Sequence, residues 1–597
     1  MLKRFFLNLL SSFIGAWLAI VLGGAVIVLI IFAVIGKFAS EESKAKVKVK
    51  SDSVMVLDLD GEIQETETAR EFDADMLLQG EIEKPKTLLS LVTALEEASE
   101  DPRIEAVYVK CGSLAIAPAT AHALHDALAS YKQKTKKPVY AYGDMLTQGT
   151  LYIASCADSI FLNPQGELLL SGCGSMSLYF KDLFEKIGVE WQVCKVGTYK
   201  SAVEPFTTNE MSEPARRQLI ELYDVIWKDI RGTIAKGRNV PEALIDSMVN
   251  NVAMTWSAAQ VAQTKLISAT AYEREMDKKI AAAIKVSDPD DINFIDAQSF
   301  GAENAMPAIS GDHIAVLYAT GEIQENSKGG IDCFTLVPVI LDLADDDDVK
   351  GLVLRVNSPG GSVFGSEQIS DALNYFKSKK KPLIVSMGDY AASGGYWISC
   401  NADKIYADPL TVTGSIGIFG LIPNAKNLLN KIGITPQTVT TNPNGFIGVP
   451  LEPLNEQQLA ALQTAINRGY DQFLGKVSKG RHMTTAQVDS IAQGRVWAGA
   501  TALRLGLVDE LGSLQTAIKY ASEKAGMKEA EVGYYPLLEP SFWDMIPTST
   551  DMSSLLAKAM GKSLDSQVTP YLVWHIQNIL KRNHQQAIMP QVWKVRI

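Results

Sequence analysis

The amino-acid sequence predicts an α/β fold of two tandem βαβ domains, preceded by one transmembrane helix. The first observation is an uncharged apolar segment at residues 13–35. The second is an internal repeat, because residues 54–65 match 314–325 and residues 140–164 match 385–409. The third is that apolar strand-like runs alternate with segments of helical spacing in each copy, which is the pattern of parallel βαβ units.

The N-terminal segment is long enough to cross a bilayer as a helix. Residues 13–35 carry no charge and are followed by Gly36 and Lys37. A cleaved signal peptide has a shorter apolar core that ends at a small-x-small site, so a retained anchor in contact with lipid through residues 13–36 is the preferred interpretation. Lysines lie on both sides of the segment, so the positive-inside rule does not give its orientation.

Composition narrows the class of protein further. The chain has 597 residues, which is too long for one typical domain, and it is 47% hydrophobic and 21% charged, as globular proteins are. Its net charge of −12 argues against nucleic acid as a partner. The six cysteines form no C-x-x-C pair, so neither a structural zinc site nor a dense disulfide framework is expected.

The repeat defines the domains. The sequence GEIQE occurs at residues 61–65 and again at 321–325. Further along, residues 385–409 match 140–164, and Gly388 falls opposite Gly143 at an offset of 245 (388 − 143). The match between these segments is too extended for chance. The predicted domains are an anchor (1–37), a charged tether (38–53), a first repeat (54–300), a second repeat (301–535) and a C-terminal extension (536–597).

In the second repeat, strands are predicted at residues 351–356 and 382–387, with a helix at 366–377 between them. The regions 456–479 and 484–511 are predicted to be helical additions to this core.

The second repeat carries a serine on a turn between a strand and a helix. The strand ending at Met387 leads to Ser393, which two glycines and a new apolar run follow. A serine at such a turn exposes its hydroxyl beside backbone N–H groups that can bind an anion. The neighbouring strand ends in a turn that contains Gly360 and Gly361, which let the backbone approach a ligand closely. The alternative for the segment around Ser393 is an ordinary glycine-rich βα loop.

The two copies differ at the candidate catalytic residues and at the glycine pair. Gln148 stands opposite Ser393, and the first repeat has no glycine pair at the offset of Gly360. The first repeat instead contains Lys200, whereas the corresponding part of the second repeat, residues 441–454, contains no lysine. A lysine in this setting is ordinarily a surface charge, but its presence in the copy that lacks the serine favours a functional role.

A serine nucleophile needs a base. The histidines are His122, His125, His313, His482, His575 and His584. None falls between His313 and His482, where a histidine would follow the nucleophile in a Clp-type protease, and His482 is expected at an exposed turn. A lysine base must be neutral near pH 7, so burial has to place its pKa roughly 3 below that of free lysine. A lysine buried where two related domains meet would satisfy this condition.

These motifs resemble those of the signal peptide peptidase A (protease IV) family, in its long, duplicated form. The similarity is carried by residues 357–361, 388–396 and 199–206 and extends over most of the chain. It implies a Clp protease/crotonase-like fold in both repeats, with Ser393 as nucleophile and Lys200 as general base and acid. It also implies a membrane-anchored homotetramer in the cytoplasmic membrane of a bacterium, with the catalytic domain on the outer side. The family degrades signal peptides that remain in the membrane after preproteins are processed.

The expected site needs no metal or cofactor. Backbone N–H groups of Gly360, Gly361 and Gly394 are the candidate donors to the oxyanion. Ser362 or Ser201 is expected to orient the lysine. Two other classes of protein remain open, namely a crotonase-like acyl-CoA enzyme, which shares paired oxyanion loops, and a non-catalytic membrane scaffold.

Overall fold

The computed structural model describes residues 47–66, 85–305, 309–326, 329–528 and 530–536, together with the backbone of 586–588. The predicted anchor and most of the C-terminal extension lie outside these residues. Within the described ranges, no helix is long and apolar enough to cross a membrane.

The first repeat is built on a mostly parallel sheet with strand order β2-β1-β3-β4-β5-β7, on which β8 pairs with β1. Its strands are β1 (Ser53–Gln64), β2 (Lys86–Thr87), β3 (Ile104–Ala115), β4 (Val139–Thr147), β5 (Ser159–Leu169), β6 (Glu190–Lys195), β7 (Ala269–Thr270) and β8 (Asn293–Asp296). Its helices are α1 (Leu88–Glu100), α2 (Pro118–Thr135), α3 (Gln148–Ala154), α4 (Lys181–Ile187), α5 (Glu204–Thr207), α6 (Glu213–Arg238), α7 (Glu242–Asn250), α8 (Ala258–Gln263), α9 (Met276–Ile284) and α10 (Ala297–Ala305).

The second repeat has a matching sheet of order β18-β16-β14-β12-β9-β20, on which β15 pairs with β14 and β19 with β15. Its strands are β9 (His313–Thr320), β10 (Ile323–Gln324), β11 (Ile331–Asp332), β12 (Val349–Ser358), β13 (Gly360–Ser362), β14 (Leu383–Ala392), β15 (Lys404–Ala407), β16 (Val412–Gly414), β17 (Phe419–Asn424), β18 (Val496–Ala498), β19 (Glu510–Leu511) and β20 (Glu531–Tyr535). Its helices are α11 (Cys333–Asp345), α12 (Val363–Ser378), α13 (Gly394–Ser399), α14 (Lys426–Lys431), α15 (Glu456–Arg481), α16 (Thr485–Ile491), α17 (Gly499–Arg504) and α18 (Leu514–Lys524).

The strand register reproduces the duplication. In the first sheet Val54 lies opposite Ala106, and in the second Ile314 lies opposite Gly351. Gly351 follows Ala106 by 245 residues (351 − 106), the offset read from the sequence. The central strands β9 and β12 are buried almost throughout, as expected of parallel strands with both faces covered.

A smaller sheet joins the repeats. Its order is β11-β10-β13-β21-β17-β6, where β21 is the short strand Gln586–Ile588. The first repeat contributes β6, which pairs antiparallel with β17 of the second repeat along its whole length. Strand β13 contains Gly360 and Gly361 and is called the glycine turn below. The glycine turn and β17 therefore belong to the same sheet as β6 of the other repeat.

Two sequence-based expectations about the architecture need correction. The regions predicted as helical additions to the second repeat contain α15, α16, β18, α17 and β19. Helices α6, α7 and α8 and strand β7 follow in the same order in the first repeat, so these regions belong to the repeated unit. The predicted boundary between residues 300 and 301 falls inside helix α10, which packs on α1 of the first repeat. A Cβ on Gly301 would lie 1.8 Å from the Ser90 carbonyl oxygen, so this helix is seated closely on the first repeat.

Candidate active site

Ser393 occupies a strained turn between β14 and α13. Its φ of 55° and ψ of −114° lie in a region that non-glycine residues rarely adopt, as expected of a nucleophile held on a sharp strand-to-helix turn. The turn is held at both ends, since the Ser393 N–H donates to the Gly414 carbonyl at 2.8 Å and its own carbonyl accepts from Trp397 N–H at 2.9 Å. A Cβ on Gly395 would lie 2.7 Å from the Ser358 carbonyl oxygen, so this glycine allows α13 to pack against the end of β12.

Lys200 reaches the same place from the first repeat. It follows a tight loop in which Tyr199 N–H donates to the Gln493 carbonyl of the second repeat at 2.8 Å. Gly494, with a φ of 76°, lies so close that a Cβ there would be 2.7 Å from the Lys200 Cβ. A side chain at residue 494 would therefore push the lysine out of position. The Lys200 side chain is completely buried.

The two predicted residues meet within one chain. The Lys200 Nζ lies 2.9 Å from the Ser393 Oγ, although the residues are 193 positions apart in sequence. The same nitrogen donates to the Ser415 carbonyl at 3.3 Å and lies 3.1 Å from the Ser415 Oγ. Burial lowers the pKa of Lys200 to about 7. A neutral amine has two N–H groups and one lone pair, which suits two contacts to Ser415 and acceptance of the Ser393 hydroxyl proton.

Ser415 is a further residue at the site, and the motifs of the sequence did not point to it. The hydroxyl that contacts the lysine belongs to Ser415, rather than to Ser362 or Ser201 as expected. The Ser362 Oγ instead accepts from Gly365 N–H at 3.1 Å. A signal was present in the sequence, because Leu170 stands opposite Ser415 at the offset of 245 (415 − 170). The comparison that singled out Ser393 would have found Ser415 as well.

The glycines expected to hold the oxyanion lie beside Ser393. Gly394 is the first residue of α13, where backbone N–H groups have no partner within the helix. Gly360 has a φ of 100°, and its N–H donates to the Ser358 Oγ at 3.2 Å, so this N–H is used inside its own turn. A Cβ on Gly361 would lie 2.0 Å from the Ile323 carbonyl oxygen, so a side chain at this position would disrupt the pairing of β13 with β10.

A short strand lies between the glycine turn and β17. Strand β21, from the C-terminal extension, pairs antiparallel with β13, placing its residues Gln586, Ala587 and Ile588 opposite Ser362, Gly361 and Gly360. It also pairs antiparallel with β17 at Phe419. The sheet edge at the glycine turn therefore accepts an extended backbone.

The histidines that the structure describes have other surroundings. His122 bonds to Asp408 at 2.6 Å, His125 to the Tyr152 carbonyl at 3.1 Å and His313 to the Gly311 carbonyl at 2.8 Å. His482 ends helix α15 in a left-handed conformation. His575 and His584 lie outside the described residues.

The corresponding place in the first repeat is filled. The Gln148 side chain, at the position equivalent to Ser393, accepts from Gly172 N–H at 2.9 Å and donates to the Gly172 carbonyl at 3.3 Å. An amide bound in this way offers no nucleophile. The serine and the lysine thus occur together at the junction where the first repeat packs on the second.

Comparison with known proteins agrees with this organisation. The family model of peptidase family S49 matches residues 131–287 and 375–528, once in each repeat. The chain belongs to peptidase family S49. A Clp protease family model also matches residues 318–409, which is consistent with the α/β architecture of an S49 peptidase.

Individual relatives support membership of family S49. Protease 4 from Haemophilus influenzae is 35% identical over 494 residues, covering 79% of each chain. Protease 4 from Salmonella typhi is 36% identical over 475 residues, covering 78% of this chain and 76% of its own. The chloroplastic serine protease SPPA of Arabidopsis thaliana is 26% identical over 441 residues, covering 72% and 64% respectively. The prediction of a serine protease of this family is confirmed, as is the α/β fold with two tandem copies.

Proposed function

We propose that this S49 peptidase is a membrane-anchored endopeptidase that degrades signal peptides and other short or unfolded peptides with a Ser393–Lys200 dyad. The observation that carries the proposal is the 2.9 Å separation of the Lys200 Nζ and the Ser393 Oγ, combined with burial that lowers the pKa of the lysine to about 7. A relative described as a putative signal peptide peptidase SppA, from Enterococcus faecium, is 33% identical over 220 residues, covering 37% of this chain and 64% of its own. This similarity supports the choice of substrate.

Acylation begins when neutral Lys200 takes the hydroxyl proton as the Ser393 Oγ attacks a peptide carbonyl carbon. The new oxygen–carbon bond leaves a negative charge on the carbonyl oxygen. Backbone N–H groups of Gly394 and Gly361 are the donors we assign to this oxyanion, with Gly360 holding the shape of the turn through its bond to Ser358. When the carbon–nitrogen bond breaks, the lysinium returns its proton to the leaving amine.

Deacylation repeats the same steps with water. Lys200 takes a proton from the water as the water oxygen attacks the acyl carbon, and the proton passes to the Ser393 Oγ as that bond breaks. The contacts from Ser415 hold the amine in place in both halves of the cycle. This chemistry requires no metal or cofactor.

A peptide substrate would bind as an added strand. The backbone of β21 lies between β13 and β17 in the structure, and a substrate would take that place, pairing with the glycine turn beside Ser393. Recognition through backbone hydrogen bonds at a sheet edge tolerates many sequences. It also requires an extended chain, which suits signal peptides and unfolded peptides.

The membrane would bring enzyme and substrate together. Residues 13–36 form the proposed single-pass anchor, and the charged tether 38–53 would connect it to the first repeat. The proposed location is the cytoplasmic membrane of a bacterium, with the catalytic domain on the extracytoplasmic side. Lipid contact at the anchor confines the enzyme to the surface where signal peptides are released.

We also infer that the chain assembles with copies of itself, as the homotetramer implied by the family resemblance. In the intrachain junction, β6 pairs with β17. At the offset of 245, residues 435–440 correspond to β6 (435 − 190) and residues 174–179 correspond to β17 (419 − 174). Both segments expose apolar side chains, since Val439 is 93% exposed and Met176 is 83% exposed.

Pairing of residues 435–440 of one chain with 174–179 of the next would repeat the intrachain junction, and such head-to-tail contacts generate rings when they close. Replacing Val439 and Met176 by aspartate is expected to reduce the mass measured by light scattering from a tetramer to a monomer. A tetramer that persists in this double variant would contradict the inferred contact.

The proposed function is tested with a synthetic signal peptide in detergent micelles. The wild-type chain is expected to cleave it, whereas the Ser393→Ala variant is expected to lose activity to the detection limit while keeping its fold, because Ala lacks only the attacking oxygen. A fluorophosphonate probe is expected to label the wild type and not the variant. Peptide cleavage that survives in Ser393→Ala would exclude this serine as nucleophile. Lack of labelling together with acyl-CoA turnover would favour the crotonase-like alternative, and no activity of either kind would favour the scaffold.

The pH dependence gives a second test. Because the Lys200 pKa is about 7 and the base acts in its neutral form, kcat/KM is expected to rise with pH and level off above about pH 8. At pH 5 the neutral fraction of such a group is about 100-fold smaller than at high pH, so the rate should fall by a similar factor. The measurement is a steady-state profile from pH 5 to pH 10 with a peptide lacking ionisable side chains. A midpoint near ~10.4, the value of free lysine, would contradict the proposed base.

A further inference from the structure

Helix α2 of the first repeat begins without a side-chain cap of its own. Its N-cap residue, Ala117, makes no capping hydrogen bond, and Pro118 occupies the first helical position. The missing acceptor comes from the second repeat. Asp389 accepts the Thr120 N–H at 2.9 Å and the Thr120 hydroxyl at 2.7 Å. A carboxylate at a helix N-terminus satisfies an unpaired N–H and interacts favourably with the helix dipole.

Asp389 lies on the strand that ends at the nucleophile. It is a residue of β14, four positions before Ser393. Its side chain is 8% exposed, and burial together with the neighbouring Glu65 raises its pKa to about 6. Burial of this carboxyl group costs desolvation energy. The group nevertheless makes two hydrogen bonds to the other repeat.

The same carboxylate is connected to the glycine turn through Asn357. The Asn357 amide nitrogen lies 3.4 Å from the Asp389 carboxylate, and its side-chain oxygen accepts the Tyr390 N–H at 3.0 Å. Asn357 directly precedes Ser358, whose hydroxyl accepts the Gly360 N–H at 3.2 Å. The end of β12 is thus tied to the end of β14, at the point where β14 contacts α2.

A second contact fixes the first turn of α2. His122, two residues after Thr120, bonds to Asp408 at 2.6 Å. Asp408 is linked back to β14, because its N–H donates to the Thr411 hydroxyl and that hydroxyl donates to the Gly388 carbonyl at 2.7 Å. One helical turn of the repeat that carries Lys200 is therefore held on the strand that carries Ser393.

The equivalent residue of the first repeat has different partners. Asp144, at the offset of 245 (389 − 144), is exposed and accepts from the Tyr142 hydroxyl at 2.6 Å and the Asn163 amide at 2.7 Å. Both partners belong to its own repeat. Asp144 is therefore a matched control for Asp389.

We propose that Asp389 is a positioning residue for the peptidase reaction, because by capping α2 across the junction it fixes the strand bearing Ser393 relative to the repeat bearing Lys200. Asp389 touches neither the serine nor the lysine. Its effect is on the separation of their side chains and on the alignment of the glycine turn. The inference rests on the proposed Ser393–Lys200 dyad.

The test compares Asp389→Ala, Asp389→Asn and Asp144→Asn in the full-length chain, with Ser393→Ala in the same peptide assay. Asn keeps an oxygen for the Thr120 N–H and an amide that can bond to the Thr120 hydroxyl, whereas Ala loses both contacts. We expect Asp389→Ala to lower kcat by about tenfold or more, the scale of effect of small misplacements at a catalytic site, with KM changed less than about twofold. Asp389→Asn is expected to recover kcat to within about threefold of wild type, and Asp144→Asn to match wild type.

Thermal unfolding of each variant measures its folded fraction, by which kcat is corrected. Thr120→Val removes the hydroxyl and keeps the N–H, and its corrected kcat should lie between those of wild type and Asp389→Ala. A kcat within twofold of wild type for folded Asp389→Ala would overturn the proposal, as would an equal loss in Asp144→Asn. A loss in Asp389→Ala that appears wholly in KM would also overturn it. Peptide cleavage by Ser393→Ala would instead show that the proposed dyad is wrong, so the two failures are distinguishable.

Discussion

The Lys200→Met variant is expected to lose at least about 10⁴-fold in kcat/KM, the scale of loss when one member of a catalytic group acting as a unit is removed. Methionine has a similar length and apolar character, so it fills the buried space without the amine that lies 2.9 Å from the Ser393 Oγ. The reaction then lacks both the group that deprotonates the serine and the group that protonates the leaving amine. Initial rates with the signal peptide substrate, compared with Ser393→Ala, measure this loss.

The same variant is expected to be more stable than the wild type. Burial lowers the Lys200 pKa from its ordinary value of 10.5 to about 7, so folding holds the lysine in its neutral form over a range where the unfolded chain binds a proton. The difference corresponds to a cost of up to about 5 kcal/mol in the free energy of unfolding below pH 7. Stability of the wild type should therefore rise between pH 7 and pH 10.5, and the advantage of Lys200→Met should shrink over the same range.

Urea unfolding of the two proteins at pH 6.5 and pH 10 checks this expectation. An advantage that is equal at both pH values would indicate that methionine only packs better and that the lysine is not perturbed. Replacement of the exposed Lys431 by methionine is the control, and its effect should be small at both pH values.

The Glu65→Ala variant is expected to lower the free energy of unfolding by about 3–5 kcal/mol, because it leaves a buried charge without its partner. The Arg355 guanidinium of the second repeat donates to the Glu65 carboxylate of the first at 2.6 Å, and the two side chains are 8% and 3% exposed. Arg355 also donates to the Ser386 hydroxyl and the Met387 carbonyl of β14. Removal of the carboxylate therefore destabilises the junction rather than one repeat alone.

A matched double variant separates charge from packing. In Glu65→Met/Arg355→Met both charges are gone, and stability should recover to near or above that of wild type, since paired replacement of a buried ion pair by apolar residues is often neutral or stabilising. The exposed pair of Lys350 with Asp312 is the surface control, for which Asp312→Ala should change stability far less. Chemical unfolding followed by tryptophan fluorescence gives all the values. A double variant as unstable as Glu65→Ala would mean that the loss comes from packing.

The sequence predicted the dyad because its members distinguish the two copies. Ser393 stands opposite Gln148, and Lys200 has no counterpart lysine in the second repeat, so a comparison of the copies isolates both. The duplicated sheets were also predictable, because long apolar strands alternate with helices in the same order in both copies. Ser415 also differs between the copies, with Leu170 opposite, but a lone serine after a short strand does not by itself predict a function.

The residues of the junction could not be found in this way. Glu65 and Glu325 both belong to a GEIQE sequence, and Asp389 and Asp144 both belong to a Gly-Asp pair, so the copies look alike at these positions. Their partners differ because the two repeats have different neighbours in space. Hydrogen bonds between residues separated by 269 or 290 positions depend on docking of the repeats, which no local pattern encodes.

The distance along the chain between the lysine and the serine also bears on biosynthesis. A ribosome adds Lys200 first, and Ser393 follows 193 residues later. Gly494, against which the lysine packs, is made later still. A partly synthesised chain that ends before residue 393 therefore lacks the serine of the proposed dyad. If the proposed dyad is the catalytic pair, activity requires that the second repeat has been synthesised and has docked on the first, so the order of translation delays activity until then.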